Sequence, residues 1–585
     1  MIQFDQFSST GNITNMLVRL RIKLAHDRNK KHLIHLHSAD PIYNYHSSKQ
    51  SVTETFICSL FPPRKKWKQP SFKNRSKNGT PRNTSEKAMI SLQLTIKYYR
   101  EKEAGAPFLT KLDDFIKEIQ ESIHGNNYKI TKPNIIPILK EEIQDDILPN
   151  ICRPIASYGL KDKIILSITN RYLTTILDEN FCDESFAFRA KREIDGVLQV
   201  PTHHDPVVKI LVYRNRHLNE KLWVSECDMK KFFDTVNHTV IKNEFRKFFS
   251  SKLFKKHSSV DLFNAKRILY DYLDSYTFNK MVFPLNDDQV FFNKFKIKNG
   301  KFGWVEEELI KKQYYKRIKS AKIGIPQGGA LSGLIANVVL HAIDKKVLSH
   351  QDNSLLYVRF CDDMLIIHPN QEVCGNVFDE YLKGLESKKL VPHLHVIPPF
   401  NLNTKFWGEK SKKCYLWSPD YDAGSPWIGF VGYEIDYIGN LRVRKSSLLK
   451  EMKKQFKVVG DLKRILSSSH CRSPNRTIYE SVANRLIGMS VGRVNLWNYN
   501  EFKNEMCWVS GYKLLTDNKY SRIQLRRLDS SRSKLLRGLK SRIDGMAQQD
   551  VGDREVQQNI SSQFLYYGRP FSYYYQVIFK NKGQQ

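Results

Sequence analysis

The chain alternates short apolar runs of strand length with longer stretches of helical periodicity. Apolar and β-branched runs that are bounded by polar or turn residues predict strands. Apolar positions that recur at helical spacing predict amphipathic helices. Strands are therefore predicted at 222–227, 355–360, 364–367, 430–438 and 441–443, and helices at 85–145, 333–347 and 372–386.

Three carboxylates lie where these predicted strands end. Asp228 follows the first strand, and Asp362 and Asp363 form the tip of the hairpin made by the second and third strands. A strand end and a neighbouring hairpin tip can bring such acids within a few ångströms of each other, and two hard cations then fit between their oxygens. An Asp-Asp pair in a turn is also common on protein surfaces, so the pair alone leaves both interpretations open.

The 585-residue chain carries a large excess of positive charge. It has 94 Lys and Arg against 60 Asp and Glu, which gives a formal net charge of +34. Such a surface attracts polyanions, so nucleic acid is the expected partner and an anionic membrane the less favoured one. No apolar run approaches the ~18 residues of a membrane span, and the N-terminal residues lack the apolar core of a signal peptide. We therefore expect a cytoplasmic protein without a membrane partner.

The cysteines argue against a zinc module. There are nine of them, and no two are spaced as Cys-x-x-Cys. This spacing disfavours a zinc ribbon or an HNH-type cluster. An odd count without a signal peptide indicates reduced thiols.

Two basic segments are candidate nucleic-acid-binding arms. The first, residues 62–87, combines Lys and Arg with prolines that oppose a helix. The second, residues 522–542, places leucines on one helical stripe and leaves its basic residues on the other faces. A solvated linker or helix face is the alternative for each. The candidate RNA- or DNA-binding residues are Arg64, Lys65, Lys66, Arg526, Arg527, Arg532 and Arg537.

The motifs around the acids resemble the palm motifs of reverse transcriptases, especially those of the group II intron-like bacterial lineage. They are Asp228-Met-Lys-Lys-Phe-Phe-Asp234, Gly324-Ile-Pro-Gln-Gly-Gly-Ala-Leu-Ser332 and Phe360-Cys-Asp-Asp363, in this order. Upstream, Arg153-Pro154, Lys161-Asp162-Lys163 and residues 181–189 resemble the fingers motifs of that family. Downstream, residues 403–405 resemble its lysine loop, and residues 430–433 resemble its primer grip. The resemblance covers roughly residues 150–440.

This resemblance implies an α+β fold of the right-hand polymerase type. Fingers, palm and thumb are expected, with an antiparallel palm sheet that carries the catalytic acids and with helical N- and C-terminal regions. The expected domains are an N-terminal extension with the basic Pro-rich segment (1–88), a helical lead-in and fingers (89–200), a palm (201–435) with an insertion at about 251–320, and a thumb with a helical basic C-terminal region (436–585).

The resemblance also assigns roles to individual residues. Asp228 and Asp362 would be the main metal ligands and Asp363 the supporting one, for two Mg²⁺ ions that Mn²⁺ could replace. Lys405 would act as a catalytic acid on the leaving pyrophosphate. Phe233 would form the steric gate that favours deoxynucleotides. The other expected nucleotide contacts are Lys161, Arg189, Gln327 and Gly328.

The implied function is RNA-directed DNA polymerisation from dNTPs. With no Cys/His endonuclease tail, the chain is most similar in architecture to the bacterial defence-associated reverse transcriptases of the "unknown group" and abortive-infection types. The expected partners are an RNA template, a cognate noncoding RNA, dNTPs and the DNA product, and a homo-oligomer is left open. The alternatives are a retron or domesticated intron-type enzyme and, in another class, a vestigial RNA-binding scaffold or maturase-like protein.

Overall fold

The computed structural model of the chain separates into two compact units. The first comprises Met1–Ile22 and Ser51–Ser425, and the second comprises Lys23–Gln50 and Pro426–Gln585. The structure describes residues 2–37, 51–71, 76–77, 80–82, 84–125, 127–140, 148–194, 196–249, 257–350, 352–396, 406, 409–419, 424–466, 475–491, 507–550, 569–573 and 575.

The described elements mix helices with short strands, which confirms the α+β class. The helices are α1 (Phe4–Ser8), α2 (Thr10–His37), α3 (Val52–Ser59), α4 (Thr84–Lys102), α5 (Pro107–His124), α6 (Leu160–Leu177), α7 (His204–Arg216), α8 (Phe232–Thr235), α9 (His238–Phe248), α10 (Ser259–Asp274), α11 (Gln289–Lys294), α12 (Glu306–Lys311), α13 (Ser332–Leu348), α14 (Gln371–Ser387), α15 (Lys445–Leu466), α16 (Asn475–Val491), α17 (Trp508–Gly511) and α18 (Lys519–Asp550). The strands are β1 (Ser76–Lys77), β2 (Thr80–Pro81), β3 (Asn134–Leu139), β4 (Asn150–Ser157), β5 (Arg192–Ile194), β6 (Val197–Gln199), β7 (Leu222–Cys227), β8 (Gly300–Phe302), β9 (Leu356–Phe360), β10 (Asp363–His368), β11 (His395–Val396), β12 (Ser411–Trp417), β13 (Trp427–Phe430), β14 (Tyr433–Asp436) and β15 (Leu441–Val443).

The central sheet of the first unit has the strand order β11-β12-β7-β10-β9. Its neighbours pair antiparallel, except that β11 and β12 are parallel. Strands β7, β9 and β10 and helices α13 and α14 lie within one or two residues of their predicted positions. Leu222, Val224 and Cys227 of β7 are buried, and so is the continuous apolar run 364–367 of β10, as expected for strands in the middle of a sheet.

A second sheet corrects part of the predicted helix at 85–145. Helices α4 and α5 occupy most of that range, but Asn134–Leu139 forms β3, which pairs antiparallel with β4. β-Branched residues favour a strand here, and Pro137 would interrupt a helix because it lacks an N–H donor. The insertion predicted at 251–320 adds α10 and also β8, which pairs parallel with β4 at the other edge of this sheet.

The second unit contains a three-stranded antiparallel sheet in the order β13-β14-β15. The predicted strand at 430–438 is wrong in its extent, because the chain turns at Val431 and Gly432, whose φ angles are 41° and 91°. The predicted hairpin to Leu441–Val443 is confirmed by the pairing of β14 with β15. Helices α15, α16 and α18 supply an apolar cluster made of Val458, Val459, Ile478, Val482, Leu486, Leu536 and Leu539.

Along the described part of the chain, none of the helices is long and apolar enough to cross a membrane.

A buried ion pair joins the β9–β10 hairpin to α13. The Arg359 guanidinium donates to both Asp344 carboxylate oxygens, from Nε at 2.8 Å and from Nη2 at 2.6 Å. It also donates from Nη1 to the Cys361 carbonyl oxygen at 2.9 Å, while the Tyr357 hydroxyl donates to Asp344 at 2.6 Å. Both members of the ion pair are essentially inaccessible to solvent. The hairpin tip is therefore fixed by a fully engaged guanidinium.

Asp344→Ala should lower the free energy of unfolding by about 3–5 kcal/mol, because it leaves the Arg359 charge buried without its carboxylate. Urea titration monitored by circular dichroism measures this change. Asp113→Ala is the control, because the Arg100–Asp113 pair is about half exposed and its loss should cost less than about 1 kcal/mol. Equal losses in the two variants would contradict a structural role for the buried pair.

Candidate active site

The three predicted acids come together at one end of the central sheet. The pairing of β7 with β10 includes Cys227 as its last residue on β7. The next residue, Asp228, therefore lies beside Asp363, the first residue of β10. Asp362 lies at the hairpin tip, directly after Cys361, whose backbone takes the left-handed φ of 62°. Strand register and a tight turn thus place the three carboxylates next to each other.

The electrostatics of a neighbouring thiol show the same convergence. Burial raises the pKa of the Cys227 thiol, and the charges of Asp228, Asp363 and Asp362 raise it further. Burial also raises the pKa of the Asp362 carboxyl, and the Asp228 charge adds to that shift. Like charges raise each other's pKa only at short range. The Asp228 charge is therefore close enough to Asp362 to disfavour its ionised form.

Asp228 is held from several sides. Its N–H donates to the Ser411 hydroxyl at 3.1 Å, and its carbonyl oxygen accepts from the His393 N–H at 2.9 Å. The Lys410 ammonium lies 2.8 Å from Oδ2 of Asp228, and the His393 ring lies 3.9 Å from the same oxygen. Lys410 therefore balances part of the negative charge that the three acids concentrate.

The three acids supply oxygen donors, the ligand type of a divalent cation. In the regions that the structure describes, no group of three or more His, Cys, Asp or Glu side chains is arranged as a metal site. The Lys410 ammonium on Asp228 is a stand-in cation, and it marks a position that stabilises positive charge. Carboxylate oxygens are the ligands that Mg²⁺ and Mn²⁺ prefer. The acids fit such an ion provided that Lys410 withdraws from Asp228.

The loop before α13 lies against α8. Phe233 is partly buried, and its carbonyl oxygen accepts from the Ile325 N–H at 2.7 Å. Gln327 donates from Nε2 to Oδ1 of Asp234 at 2.7 Å. Gly328 has a φ of 79°, which an L side chain rarely adopts, and it is exposed. The Phe233 backbone and the Gln327 side chain therefore both join this loop to α8, and the roles of Phe233, Gln327 and Gly328 stay predictions.

Asp234 is a buried carboxyl beneath this loop. It is completely inaccessible to solvent. Burial raises its pKa to about 6, against the lowering effects of the Lys231 charge, the Gln327 hydrogen bond and the Arg153 charge. A carboxyl with a pKa this high is costly to keep ionised at neutral pH.

Basic side chains surround the acids. Burial lowers the pKa of Lys231, and the positive charges of Lys140, Arg153 and Lys410 lower it further while Asp234 opposes them. Lys140, Arg153 and Lys410 therefore each lie within electrostatic reach of Lys231. A cluster of this kind has the charge that a triphosphate needs.

Lys161 and Arg189, the two predicted triphosphate contacts, differ in outcome. Lys161 lies in the first turn of α6, where its ammonium is 2.8 Å from Glu118 and 4.2 Å from the centre of the Tyr128 ring. Its role stays a prediction.

Arg189 requires a correction, because it is buried and its guanidinium binds the Asp178 carboxylate and the carbonyl oxygens of Cys182 and Ser185. These contacts leave it no free donor face for a phosphate.

The other predicted site residues lie apart from the acids or outside the described residues. Lys405 is outside the described residues. Arg64, Lys65 and Lys66 form an exposed 3₁₀ turn in the first unit. This turn is followed by Trp67, a buried residue whose Nε1 donates to the Pro62 carbonyl oxygen at 2.9 Å. The basic segment is thus anchored at this point.

The basic residues of α18 lie in the second unit. Arg526, Arg527 and Arg537 are exposed, as the predicted helical stripe requires. Arg532 requires a correction, because it is only 1% exposed. Leu528 and Leu539 are buried on the same helix, and the turn of the helix places Arg532 on their side. Arg532 is therefore a residue of the interior.

Sequence reasoning missed three residues of this site. Lys410 lies in a stretch without a motif, so no signal identified it. Lys231 belongs to the motif that begins at Asp228. Because Lys230 stands next to it, the sequence does not distinguish either lysine from an ordinary surface charge. Arg359 stands two residues before the hairpin tip, where an apolar strand residue was expected. Only the folded contacts distinguish these residues from ordinary surface or core.

Residues 138–393 match the family model described as reverse transcriptase (RNA-dependent DNA polymerase). The chain therefore carries a reverse transcriptase domain, the domain of RNA-directed DNA polymerases, and the enzyme class that the motifs predict is confirmed. Domains of this family in general use divalent metal ions. The match covers less than half of the chain and does not distinguish lineages, so the group II-like and defence-associated assignments stay predictions.

Solved structures that resemble the chain include telomerases of two Candida species. The apo telomerase of Candida tropicalis is 15% identical, with 92% of this chain and 83% of that chain covered and a TM-score of 0.33. A C-terminally truncated form is 15% identical, with 54% of this chain and 55% of that chain covered and a TM-score of 0.32. Candida albicans telomerase in complex with a telomeric RNA fragment is 14% identical, with 75% and 64% covered and a TM-score of 0.30. No curated protein matches the chain. These scores carry no conclusion about activity or partners.

Asp234→Asn should raise the stability of the protein at neutral pH. The folded pKa of about 6 lies above the usual 3.8, so ionisation of Asp234 costs stability as pH rises from about 4 to 6. The variant should gain as much as about 3 kcal/mol in free energy of unfolding at pH 8, with the gain vanishing near pH 4. Chemical unfolding at a series of pH values measures it.

The control for this measurement is Asp352→Asn. The Ser354 backbone N–H and the His368 side chain lower the pKa of Asp352, so its replacement should instead lose stability at neutral pH. A stability gain in Asp234→Asn that does not depend on pH would contradict the raised pKa.

Proposed function

We propose that this chain is an RNA-directed DNA polymerase that extends a primer with dNTPs by a two-metal mechanism. The observation that carries the proposal is the convergence of Asp228, Asp362 and Asp363 at one end of the central sheet, inside the range that matches reverse transcriptases. The oxygen donors of these three side chains favour a cation site. We also propose that the protein acts in the cytoplasm.

The reaction is an in-line displacement at phosphorus. The primer 3′-hydroxyl loses its proton to solvent as its oxygen attacks the α-phosphorus of the dNTP, and the bond between that phosphorus and the leaving pyrophosphate breaks. When bound, two Mg²⁺ or Mn²⁺ ions stabilise the charge on the attacking and leaving oxygens. Asp228 and Asp362 would hold these ions, with Asp363 in support. Lys405 would donate the proton that the leaving pyrophosphate takes up.

Basic side chains beside the acids would bind the triphosphate. Arg153 is exposed on β4, and Lys231 is partly buried at the start of α8. Burial lowers the pKa of Lys231, and the positive charges of Lys140 and Arg153 lower it further; a bound polyanion would offset these charges. Arg153 and Lys231 therefore take the place that Arg189 was expected to fill, and Lys161 would join them only if it left Glu118.

Nucleotide selection would depend on α8 and the loop against it. Phe233 would exclude a ribonucleotide because its ring occupies the space of a 2′-hydroxyl. The Gly328 backbone permits close approach of the nascent base pair, since no Cβ stands in the way. Gln327 would contact the incoming nucleotide. The hydrogen bond from the Ile325 N–H to the Phe233 carbonyl oxygen holds this loop next to Phe233, which is consistent with these roles.

Asp228→Asn and Asp362→Asn should each abolish dNTP incorporation, because each removes a ligand charge from the cation site. Primer extension on an RNA template measures the loss, and circular dichroism checks that the fold is retained. Asp363→Asn should be milder. Asp352→Asn is the matched control, since this carboxyl pairs with His368 at the far end of β10, and it should keep activity. Activity near wild type in Asp228→Asn would overturn the assignment.

We further propose that the enzyme works with a structured noncoding RNA in bacterial defence against phage. The net charge of +34 and the exposed Arg526, Arg527 and Arg537 on α18 support an RNA partner. Copurifying RNA and phage plating with and without the protein test this setting. A retron or domesticated intron-type enzyme would copurify with RNA but give no protection.

A vestigial RNA-binding scaffold is the second candidate function. The Lys410–Asp228 ion pair is the observation that favours it, because a lysine replaces a metal charge there. Incubation of the protein with each dNTP, with and without Mg²⁺, distinguishes the two. Incorporation that requires Mg²⁺ rejects the scaffold, and no incorporation with any template rejects the polymerase.

Changing Arg526, Arg527 and Arg537 together to Ala should weaken binding of the copurifying RNA and flatten its salt dependence. Each lost phosphate contact should lower the slope of log affinity against log salt by ~0.7–0.9. The control replaces Lys97, Lys111 and Lys117, three exposed lysines of the first unit, and has the same change in charge. An unchanged slope in the α18 variant would leave these arginines as an ordinary solvated face.

A further inference from the structure

We propose that Asp234 is a positioning residue that fixes the orientation of the Gln327 amide, so that Gln327 offers its carbonyl oxygen to a hydroxyl of the incoming nucleotide. The inference rests on the proposed polymerase function, because it assigns the partner of Gln327 within that reaction. Its basis is the 2.7 Å hydrogen bond from Gln327 Nε2 to Oδ1 of Asp234.

The backbone of Asp234 is fixed. Its N–H donates to the Lys231 carbonyl oxygen at 2.8 Å. Its own carbonyl oxygen accepts from Nε1 of Trp304 at 3.0 Å. A Cβ at Gly324 would lie 3.2 Å from that carbonyl oxygen, so the loop backbone at Gly324 packs closely against the Asp234 backbone. The carboxylate therefore presents Oδ1 from a constant position.

Gln327 is held in a matching way. The backbone carbonyl oxygen of Gln327 accepts from the Ala156 N–H at 3.3 Å. Gln327 also forms an isolated parallel β-bridge with Ile155 of β4. A carboxylate only accepts hydrogen bonds, so the Gln327 amide must direct Nε2 to Asp234 and Oε1 away from it. Since Gln327 is partly exposed, that oxygen is available to a donor on a ligand. A sugar hydroxyl is the donor that a nucleotide supplies.

The carboxylate is expensive at this position. Asp234 is fully buried, and Oδ2 has no hydrogen-bond partner among the described residues. The groups that face it are Lys231 before α8, Arg153 on β4 and Tyr276, whose own pKa is raised by burial and also by the Asp234 charge. A neutral residue would cost less here, and strongly perturbed buried acids are characteristic of functional sites.

Protonation should remove the constraint. A protonated Asp234 has an O–H donor, which can bind Oε1 of Gln327 and allow the amide to turn over. The pKa of Asp234 is about 6, so nucleotide binding should weaken as pH falls through this value. A neutral Asn at position 234 imposes no single orientation at any pH.

The test measures KM for a dNTP and kcat between pH 5.5 and 8.5 on a fixed primer–template. In the wild type, KM should rise below pH 6. In Asp234→Asn, KM should be about two- to five-fold higher at pH 8, as for one weakened hydrogen bond, and should not rise further in acid. In that variant kcat should change less than about twofold. Asp234→Asn added to Gln327→Ala should have no further effect on KM.

A purely structural role makes a different prediction. If Asp234 only supported the fold, stability and nucleotide affinity would change in the same direction. The positioning role predicts that Asp234→Asn is more stable at pH 8 and yet binds nucleotide more weakly. A KM that is unchanged at pH 8, or an acid rise that persists in Asp234→Asn, overturns this inference alone. A wild type that incorporates nothing overturns the proposed function and this inference with it.

Discussion

The arrangement of the first unit centres on like-charged carboxylates that are held together at one end of the central sheet. Asp228, Asp362 and Asp363 meet because β7 pairs with β10 and because the hairpin turns tightly at Cys361. Repelling groups stay together only when the elements that carry them are rigid. The Arg359–Asp344 ion pair supplies that rigidity at the hairpin, and it engages the Cys361 carbonyl oxygen directly. The protein interior thus holds the hairpin acids in place beside Asp228.

The surroundings of the acids are consistent with this electrostatic demand. Lys410 pairs with Asp228, and the charges of Lys410 and Arg153 both act on Lys231. Under the proposed function, a metal ion would replace Lys410 at Asp228, and Arg153 and Lys231 would bind phosphate. Asp234 adds a buried negative charge beneath the loop before α13, and its ionisation lowers the stability of the protein at neutral pH. A site that accumulates both signs of charge at a stability cost suits phosphoryl transfer better than a purely structural role.

Much of this site could be predicted from periodicity and motifs, because apolar runs and turn residues are local signals. Strand β7, the β9–β10 hairpin, α13 and the three acids all follow from such signals. The burial of Arg189 and Arg532 could not, since a buried arginine looks the same in sequence as one that binds phosphate. Lys410 and the Arg359–Asp344 pair depend on contacts between distant segments. Strand β3 was missed because it follows two helices inside the stretch that was predicted to be helical throughout.

Counting bound metal ions tests the central claim most directly. Mn²⁺ titration followed by electron paramagnetic resonance, in the presence of a dNTP that cannot react, reports both the number of ions and their magnetic coupling. Two coupled ions per chain are predicted, at a separation of ~3.5–4 Å. Asp362→Asn should remove the coupling. A wild-type protein that binds no Mn²⁺, or binds one uncoupled ion, while Lys410 stays on Asp228, would contradict the two-metal account.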